Sequence, residues 1–112
     1  MPDQYFHYTS REFAQSIVSA QRLSPGASGV VYTTNELYEK GAEAMNRLAI
    51  DGKPIEVVGL IPRSLIGARV PEPVFPISDA SGRLWRRGGG TQILFAGALP
   101  GAEIKWLALS PP

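Results

Sequence analysis

The chain has 112 residues, 44% of them hydrophobic, and a formal net charge of +1. This length suits one domain, 1–112, and the near balance of charges indicates neither a nucleic-acid nor a membrane partner. The chain has no cysteine and one histidine, which excludes disulfides, thiolate chemistry, Cys-ligated zinc and His-rich metal sites. Its apolar runs are far shorter than the about 20 residues that span a bilayer.

The order of the predicted elements indicates an α+β fold. The 12 glycines and 10 prolines favour short strands and turns, and helical spacing of apolar residues is confined to the first half of the chain. In chain order we predict a strand over Tyr5–Tyr8, a helix from 9 to about 22, a strand over Gly29–Thr34, a helix from 35 to 51, a strand over Ile55–Ile61, a short turn and an edge strand within 63–73, a loop over 77–90, and strands over Thr91–Phe95 and Ala102–Leu109.

Polar residues mark the start of both predicted helices. Thr9 begins a Thr-Ser-Arg-Glu capping box, in which its hydroxyl and the Glu12 carboxylate would satisfy backbone N–H groups of the first turn. Asn35 is the expected cap of the second helix, whose apolar face would include Tyr38.

Two of the three motifs that could carry chemistry lie in the first half of the chain, and each also has a purely structural interpretation. His7-Tyr8-Thr9 offers an imidazole and hydroxyl groups at a strand end. It also fits an aromatic cluster in which His7 bonds a backbone carbonyl and Thr9 is an ordinary helix cap. Tyr32 offers a flat face to a planar ring, which Tyr38 could cover from another side, or it is half-buried packing.

The third motif is Gly88–Gln92, which places three glycines ahead of a strand. Such glycines let a backbone approach a ligand closely, or they form a flexible hairpin connection. The neighbouring Arg83, Arg86 and Arg87 suit a phosphate or an acidic partner, or simply a solvated loop. The dinucleotide-binding GxGxxG motif, the P-loop and the Gly-x-Ser-x-Gly nucleophile turn are all missing from the sequence.

Taken in order, the motifs resemble the ADP-ribosyltransferase superfamily. They are His-Tyr-Thr-Ser at 7–10, Gly-Val-Val-Tyr at 29–32 and Gly-Gly-Gly-Thr-Gln-Ile at 88–93. The chain is most similar to the small His-Tyr-Glu toxin domains at the C-termini of Rhs and other polymorphic effectors, in particular the group that modifies elongation factor Tu. The resemblance runs from Tyr5 to about Trp106 and implies a split, strongly bent β-sandwich, with two helices in its N-terminal half, that holds NAD in a cleft.

The resemblance also implies a role for each matching residue. His7 would bond the adenosine-side ribose of NAD, with Thr9 alongside, Tyr32 would stack on the nicotinamide ring, and the family's catalytic glutamate falls at Gln92. No metal would be required, because nicotinamide is already a cationic leaving group. The expected catalytic residues are His7, Tyr32 and Gln92. The expected NAD-binding residues are His7, Tyr8, Thr9, Tyr32, Thr33, Tyr38, Gly90 and Gln92.

Gln92 departs from the family pattern, because an amide keeps the shape of glutamate without its charge. Negative charge directed at a developing positive charge is often worth on the order of 3 kcal/mol or more. Three explanations compete: an engineered inactivation, which we favour, a family variant that uses another acid such as Asp79 or Glu103, and a catalytically dead NAD binder.

The resemblance further implies a toxin that transfers ADP-ribose from NAD to a bacterial target protein, elongation factor Tu in the group named above, and so blocks translation. It implies export as part of a larger effector, by type VI secretion, action in the cytoplasm of a target bacterium, and a cognate immunity protein. One rival interpretation is a non-catalytic NAD-binding or protein-interaction module. Another is an RNA 2′-phosphotransferase of the same fold, which would require more basic side chains in the cleft.

Overall fold

The computed structural model describes residues 3–26, 28–50, 54–78, 81–82 and 84–110. These residues form an α+β fold, as predicted, with ten short strands, three α-helices and one 3₁₀-helix. The strands are β1 (Gln4–Thr9), β2 (Arg22–Leu23), β3 (Val30–Thr33), β4 (Val57–Pro62), β5 (Glu72–Pro73), β6 (Ile77–Ser78), β7 (Leu84–Arg86), β8 (Thr91–Ala96), β9 (Leu99–Pro100) and β10 (Lys105–Ala108). The helices are α1 (Arg11–Ala20), α2 (Gly41–Arg47) and α3 (Arg63–Ile66), and the 3₁₀-helix is Gly101–Glu103.

Two three-stranded antiparallel sheets carry the fold. In the first sheet β4 lies between β1 and β10, and in the second β8 lies between β3 and β5. Two small ribbons, β2–β9 and β6–β7, complete the described strands. The second sheet leaves β3 and β5 as its edges, and Pro73 suits an edge strand because it has no N–H to donate to a further neighbour.

Side-chain alternation along β1 divides the apolar core into two clusters. Tyr5 and its register partner Ile61 belong to a cluster that includes residues of α1, β3 and β8. Tyr8 and its partner Val58 belong to a second cluster, packed around α2. Because Tyr5 and Tyr8 are three positions apart and side chains alternate along a strand, the two rings point to opposite faces. The first sheet is therefore the middle layer of the molecule.

The first helix begins one residue later than the capping box predicts. Ser10 is its N-cap, and the Ser10 hydroxyl accepts a hydrogen bond from the Phe13 N–H at 3.2 Å. Thr9 instead ends β1 and is buried there. The prediction of Thr9 as the cap is wrong, because the strand pairing of β1 with β4 continues through this residue.

The second helix is much shorter than predicted. It begins at Gly41, and residues 35–39 are irregular. Tertiary contacts hold this segment out of a helix: Asn35 Oδ1 accepts a hydrogen bond from the Thr91 hydroxyl, and the Tyr38 N–H donates to the Tyr8 hydroxyl at 2.6 Å. Tyr38 is therefore not on α2, and the predicted end of the helix at 51–52 lies outside the described residues.

The second half of the chain differs from the prediction in three places. The predicted turn within 63–73 is the helix α3, so the helices are not confined to the first half. The predicted loop over 77–90 contains the hairpin β6–β7, with Asp79 and Arg83 outside the described residues. The last predicted strand begins as a 3₁₀-helix and becomes β10 only at Lys105. None of the described helices is both long and apolar enough to cross a membrane.

The triple glycine caps α2 rather than forming a flexible connection. The Gly88 N–H donates to Asn46 O at 2.9 Å and the Gly90 N–H donates to Arg47 O at 3.0 Å, which satisfies carbonyls at the end of the helix. Gly88 has φ +68°, and a Cβ there would lie 2.6 Å from Val74 O. The glycines are needed because helix, loop and strand backbones come this close together.

Candidate functional site

The candidate site lies where β1 and β3 part. The Phe6 N–H donates to Thr34 O at 2.8 Å and the Thr34 N–H donates to Phe6 O at 2.9 Å, so the two sheets are joined at this point. Among the described residues the two strands exchange backbone hydrogen bonds only here. Beyond the bridge His7 Nδ1 lies 2.8 Å from Tyr32 O. The His7 side chain thus connects β1 and β3 at a point where continued strand pairing would have placed backbone hydrogen bonds.

The hydrogen bond of His7 fixes which ring nitrogen carries the proton. A carbonyl oxygen can only accept, so Nδ1 is the donor to Tyr32 O. In the neutral ring this makes Nε2 an acceptor. The structural interpretation of His7, in which it bonds a backbone carbonyl, is confirmed, and the bond also orients the ring at the edge of the opening.

The parting of the strands also leaves a peptide edge turned toward β3. Phe6 directs its N–H and C=O to β3, and in an antiparallel strand every second residue does so. Tyr8 therefore turns its own backbone N–H and C=O to the side where β1 and β3 have separated. One donor and one acceptor lie side by side on this edge.

A cavity of about 540 Å³ opens beside this edge, and we call it the Gln92 cavity. It brings together five of the eight residues that the sequence predicts to bind NAD: His7, Tyr8, Tyr32, Thr33 and Gln92. Its other lining residues are apolar: Phe6, Leu48, Ala49, Ile50, Val74 and Phe75. The cavity therefore combines polar groups with apolar surface suited to a ring or a hydrocarbon.

A second cavity of about 510 Å³ lies between α1 and the start of β3, and we call it the α1 groove. It shares His7 and Tyr32 with the Gln92 cavity and also includes Thr9, Phe13 and Arg22. The His7–Tyr32 contact is thus the boundary between two adjoining hollows. A long, two-part ligand can occupy both only by passing these two residues.

Tyr32 is placed as a surface for stacking, because its side chain is 52% exposed while its strand neighbours Val31 and Thr33 are buried. Its register partner on β8 is Leu94, so Gln92 lies diagonally across on the same face of the sheet. Diagonal neighbours of this kind are about 7–8 Å apart, within reach of an aromatic side chain. Tyr32 and Gln92 can therefore contact one ligand.

The hydroxyl of Tyr8 is occupied by the protein itself. It donates to Glu36 O at 2.9 Å and accepts from the Tyr38 N–H at 2.6 Å. Burial raises the pKa of Tyr8 to about 12, with smaller contributions from Glu36 and Glu43. The Tyr8 side chain therefore pins the 35–39 segment, and only its backbone and ring edge serve the cavity.

Three of the predicted NAD-binding residues lie outside the Gln92 cavity. Thr9 is buried and borders the α1 groove. Tyr38 is buried, with its ring centroid 5.7 Å from that of Tyr8, so it cannot cover a ring lying on Tyr32. Gly90 is buried against the end of α2, and a Cβ there would lie 2.8 Å from both Arg47 O and the Tyr38 hydroxyl.

The described lining of the Gln92 cavity contains no Asp, Glu, Lys or Arg. The carboxylate of Glu36 bonds to Thr91, the residue before Gln92. Its Oε1 accepts from the Thr91 N–H at 2.7 Å and from the Thr91 hydroxyl at 3.0 Å, so this oxygen is engaged. Glu36 Oε2 lies 4.0 Å from the guanidinium of Arg47. Glu36 thus fixes the strand start beside Gln92.

Sequence reasoning missed the apolar wall of the cavity. Leu48, Ala49 and Ile50 follow α2, and Ala49 adopts a left-handed conformation with φ 52°. Val74 and Phe75 follow the edge strand β5, and Phe75 is 74% exposed. The two prolines at 71 and 73 predict the edge strand, but no local pattern brings it beside the end of a helix some 25 positions earlier.

Comparison with known proteins leaves the chain without an assigned family: no family model, no curated protein and no solved structure matches it. Among the described residues, no group of three or more His, Asp or Glu side chains is arranged to hold a metal ion.

Proposed function

We propose that the protein is a mono-ADP-ribosyltransferase that takes ADP-ribose from NAD. The observation that carries the proposal is the convergence of His7, Tyr32 and Gln92, 85 positions apart along the chain at the extremes, on one cavity at the opening between two sheets. A split sheet of this kind is the arrangement that the resemblance to the superfamily implies. We assign the finer fold, a split and bent β-sandwich, on the same grounds.

The Gln92 cavity suits the nicotinamide half of NAD. The N–H and C=O of Tyr8 lie on the parted edge of β1 and match the acceptor and donor of a carboxamide group. The exposed ring of Tyr32 offers a face on which the nicotinamide ring stacks. His7 lies at the boundary with the α1 groove, where we propose that it contacts the adenosine-side ribose.

The α1 groove then receives the adenosine half. Its volume is similar to that of the Gln92 cavity, about 510 against 540 Å³. Arg22 is one cation among the described residues that line it, and it can pair with a phosphate. NAD would bend around the His7–Tyr32 contact with one half in each hollow.

In the proposed reaction the bond between nicotinamide and ribose breaks first, and nicotinamide leaves with both electrons of that bond. A nucleophile of the target protein then attacks the anomeric carbon from the opposite face. Gln92 holds the ribose by hydrogen bonds from its carboxamide. We propose that the acceptor is a bacterial protein, elongation factor Tu, that the domain reaches the target cytoplasm within a larger secreted effector, and that an immunity protein covers the opening.

One observation favours a second function, which is NAD binding without transfer. Gln92 is neutral, and the described lining of its cavity contains no Asp or Glu that could replace a catalytic glutamate. The experiment that separates the two functions is mass spectrometry of a bacterial lysate incubated with NAD and either the native protein or Gln92→Glu. A transferase adds one ADP-ribose to a lysate protein, at least with Gln92→Glu. The absence of any added ADP-ribose with both forms would support the non-catalytic function.

A further inference from the structure

The proposed reaction requires a negative charge that Gln92 cannot supply. Its amide can hold a ribose hydroxyl, but it neither stabilises positive charge at the anomeric carbon as a carboxylate does nor accepts a proton. If the residue present in this chain takes part in transfer, a carboxylate must lie within a few ångströms of it. The sheet register shows which one.

Glu72 is the direct partner of Gln92 across the pairing of β5 with β8. Residues opposite each other in an antiparallel pair point to the same face, with Cβ atoms about 4.5–5.5 Å apart. Val74, two residues along β5, lines the Gln92 cavity, so the face that Glu72 shares with Val74 and Gln92 is the face toward the cavity. Glu72 is exposed to solvent and is not itself one of the lining residues, but it lies directly opposite Gln92, which is.

The other described carboxylates near the site are less suited to this role. Glu36 has its two oxygens engaged with Thr91 and Arg47, which offset its charge and fix its position. Glu103, one of the two acids that the sequence suggests, lies on the 3₁₀-helix Gly101–Glu103, which packs against α1 and β2. In the described sheet pairings it lies opposite no residue of β8, whereas Glu72 lies opposite Gln92 itself.

We propose that Glu72 and Gln92 divide the work of one catalytic glutamate, an inference that rests on the proposed function. Gln92 positions the ribose, and Glu72 supplies the negative charge and takes the proton of the acceptor. The bond between ribose and nicotinamide breaks, and nicotinamide keeps its electron pair. The acceptor atom forms its bond to the anomeric carbon and loses its proton to the Glu72 carboxylate, which passes it to water.

The test measures nicotinamide release from NAD, with water as acceptor, for the native protein and for Glu72→Gln, Glu72→Asp and the double variant Glu72→Gln/Gln92→Glu. We expect Glu72→Gln to lower kcat at least tenfold while KM for NAD changes less than about twofold, because Glu72 does not hold the dinucleotide. Glu72→Asp should keep part of the rate. The double variant should recover it, since the charge is moved across one register pair.

Glu103→Gln is the matched control, because it removes an exposed glutamate outside the cavity, and we expect it to leave kcat and KM unchanged. Equal rates for Glu72→Gln and the native protein would overturn the proposal. So would a native protein that releases no nicotinamide while Gln92→Glu does, and that result would leave the proposed function standing. If NAD binds to neither form, the proposed function itself fails.

Discussion

At the scale of single residues, Tyr8 shows how one side chain prepares the site without serving as its ligand. Its hydroxyl satisfies a carbonyl and an N–H of the 35–39 segment, and this segment in turn positions Glu36 against Thr91. The polar edge of the cavity therefore depends on a buried phenol. The substitution Tyr8→Phe removes this hydroxyl and keeps the ring, so it tests the two contributions separately.

We expect Tyr8→Phe to lower the free energy of unfolding by about 1–3 kcal/mol, because it removes the hydroxyl that pairs with the buried Tyr38 N–H and the partly buried Glu36 carbonyl. The pKa of Tyr8 is raised from 10 to about 12, so the stability that its protonated form contributes is present below pH 10 and is lost as the pH rises through 12. Denaturant unfolding at several pH values should therefore show a steeper loss between pH 10 and 12 in the native protein than in Tyr8→Phe. Parallel curves for the two proteins would contradict the raised pKa of Tyr8 and therefore the burial of its phenol that causes it.

Gly88 tests whether the triple glycine is a structural cap. A Cβ at this position would lie 2.6–2.9 Å from backbone atoms of 74–76, and these atoms cannot move without distorting the chain. The positive φ of Gly88 would strain any other residue as well. Gly88→Ala should destabilise the fold by more than about 2 kcal/mol. Gly26→Ala is the control, since a Cβ there meets nothing within 4 Å. Similar melting temperatures for the two variants would instead support the interpretation of the three glycines as a flexible hairpin connection.

At the scale of elements, the end of α2 carries strain on the wall of the cavity. The Ile50 N–H donates to Met45 O at 2.9 Å and the Ala49 N–H donates to Asn46 O at 3.4 Å, which is the bonding of a Schellman motif. That motif normally has glycine where this chain has Ala49 at φ 52°. A left-handed conformation costs a non-glycine residue roughly 1–2 kcal/mol.

We therefore expect Ala49→Gly to raise the free energy of unfolding by about 1 kcal/mol. The comparison is Ala42→Gly, an exposed position inside the same helix, where glycine should lower stability or leave it unchanged. Chemical denaturation of both variants measures the difference. A loss of stability in Ala49→Gly would mean that the methyl group contributes more through packing than it costs in backbone strain.

The elements also show what sequence patterns can and cannot predict. The strand over 5–8, the strand over 29–34 and the strand over 91–95 are close to β1, β3 and β8, because each is a compact run of aromatic or β-branched residues. The prediction that the second helix starts at Asn35 is wrong, because Asn35 and Tyr38 form hydrogen bonds with residues 30 or more positions away. Local propensity carries no information about such partners.

At the scale of the whole molecule, the convergence of His7, Tyr32 and Gln92 on one cavity was a prediction from the resemblance, and the geometry agrees with that placement. What no pattern predicted is that β1 and β3 meet at one bridge and then separate. The sequence patterns also do not predict that Glu72 lies opposite Gln92. The strand β5 has only two residues, and its pairing with β8 depends on how the chain folds around the end of α2.

The most direct test of the account is the binding of NAD. Isothermal titration calorimetry should be run with the native protein, His7→Ala, Tyr32→Ala and the distant control Glu103→Gln. The account predicts binding by the native protein and the control, and at least a tenfold loss of affinity in each alanine variant. Equal affinity in all four proteins, or no binding by the native protein, would contradict it.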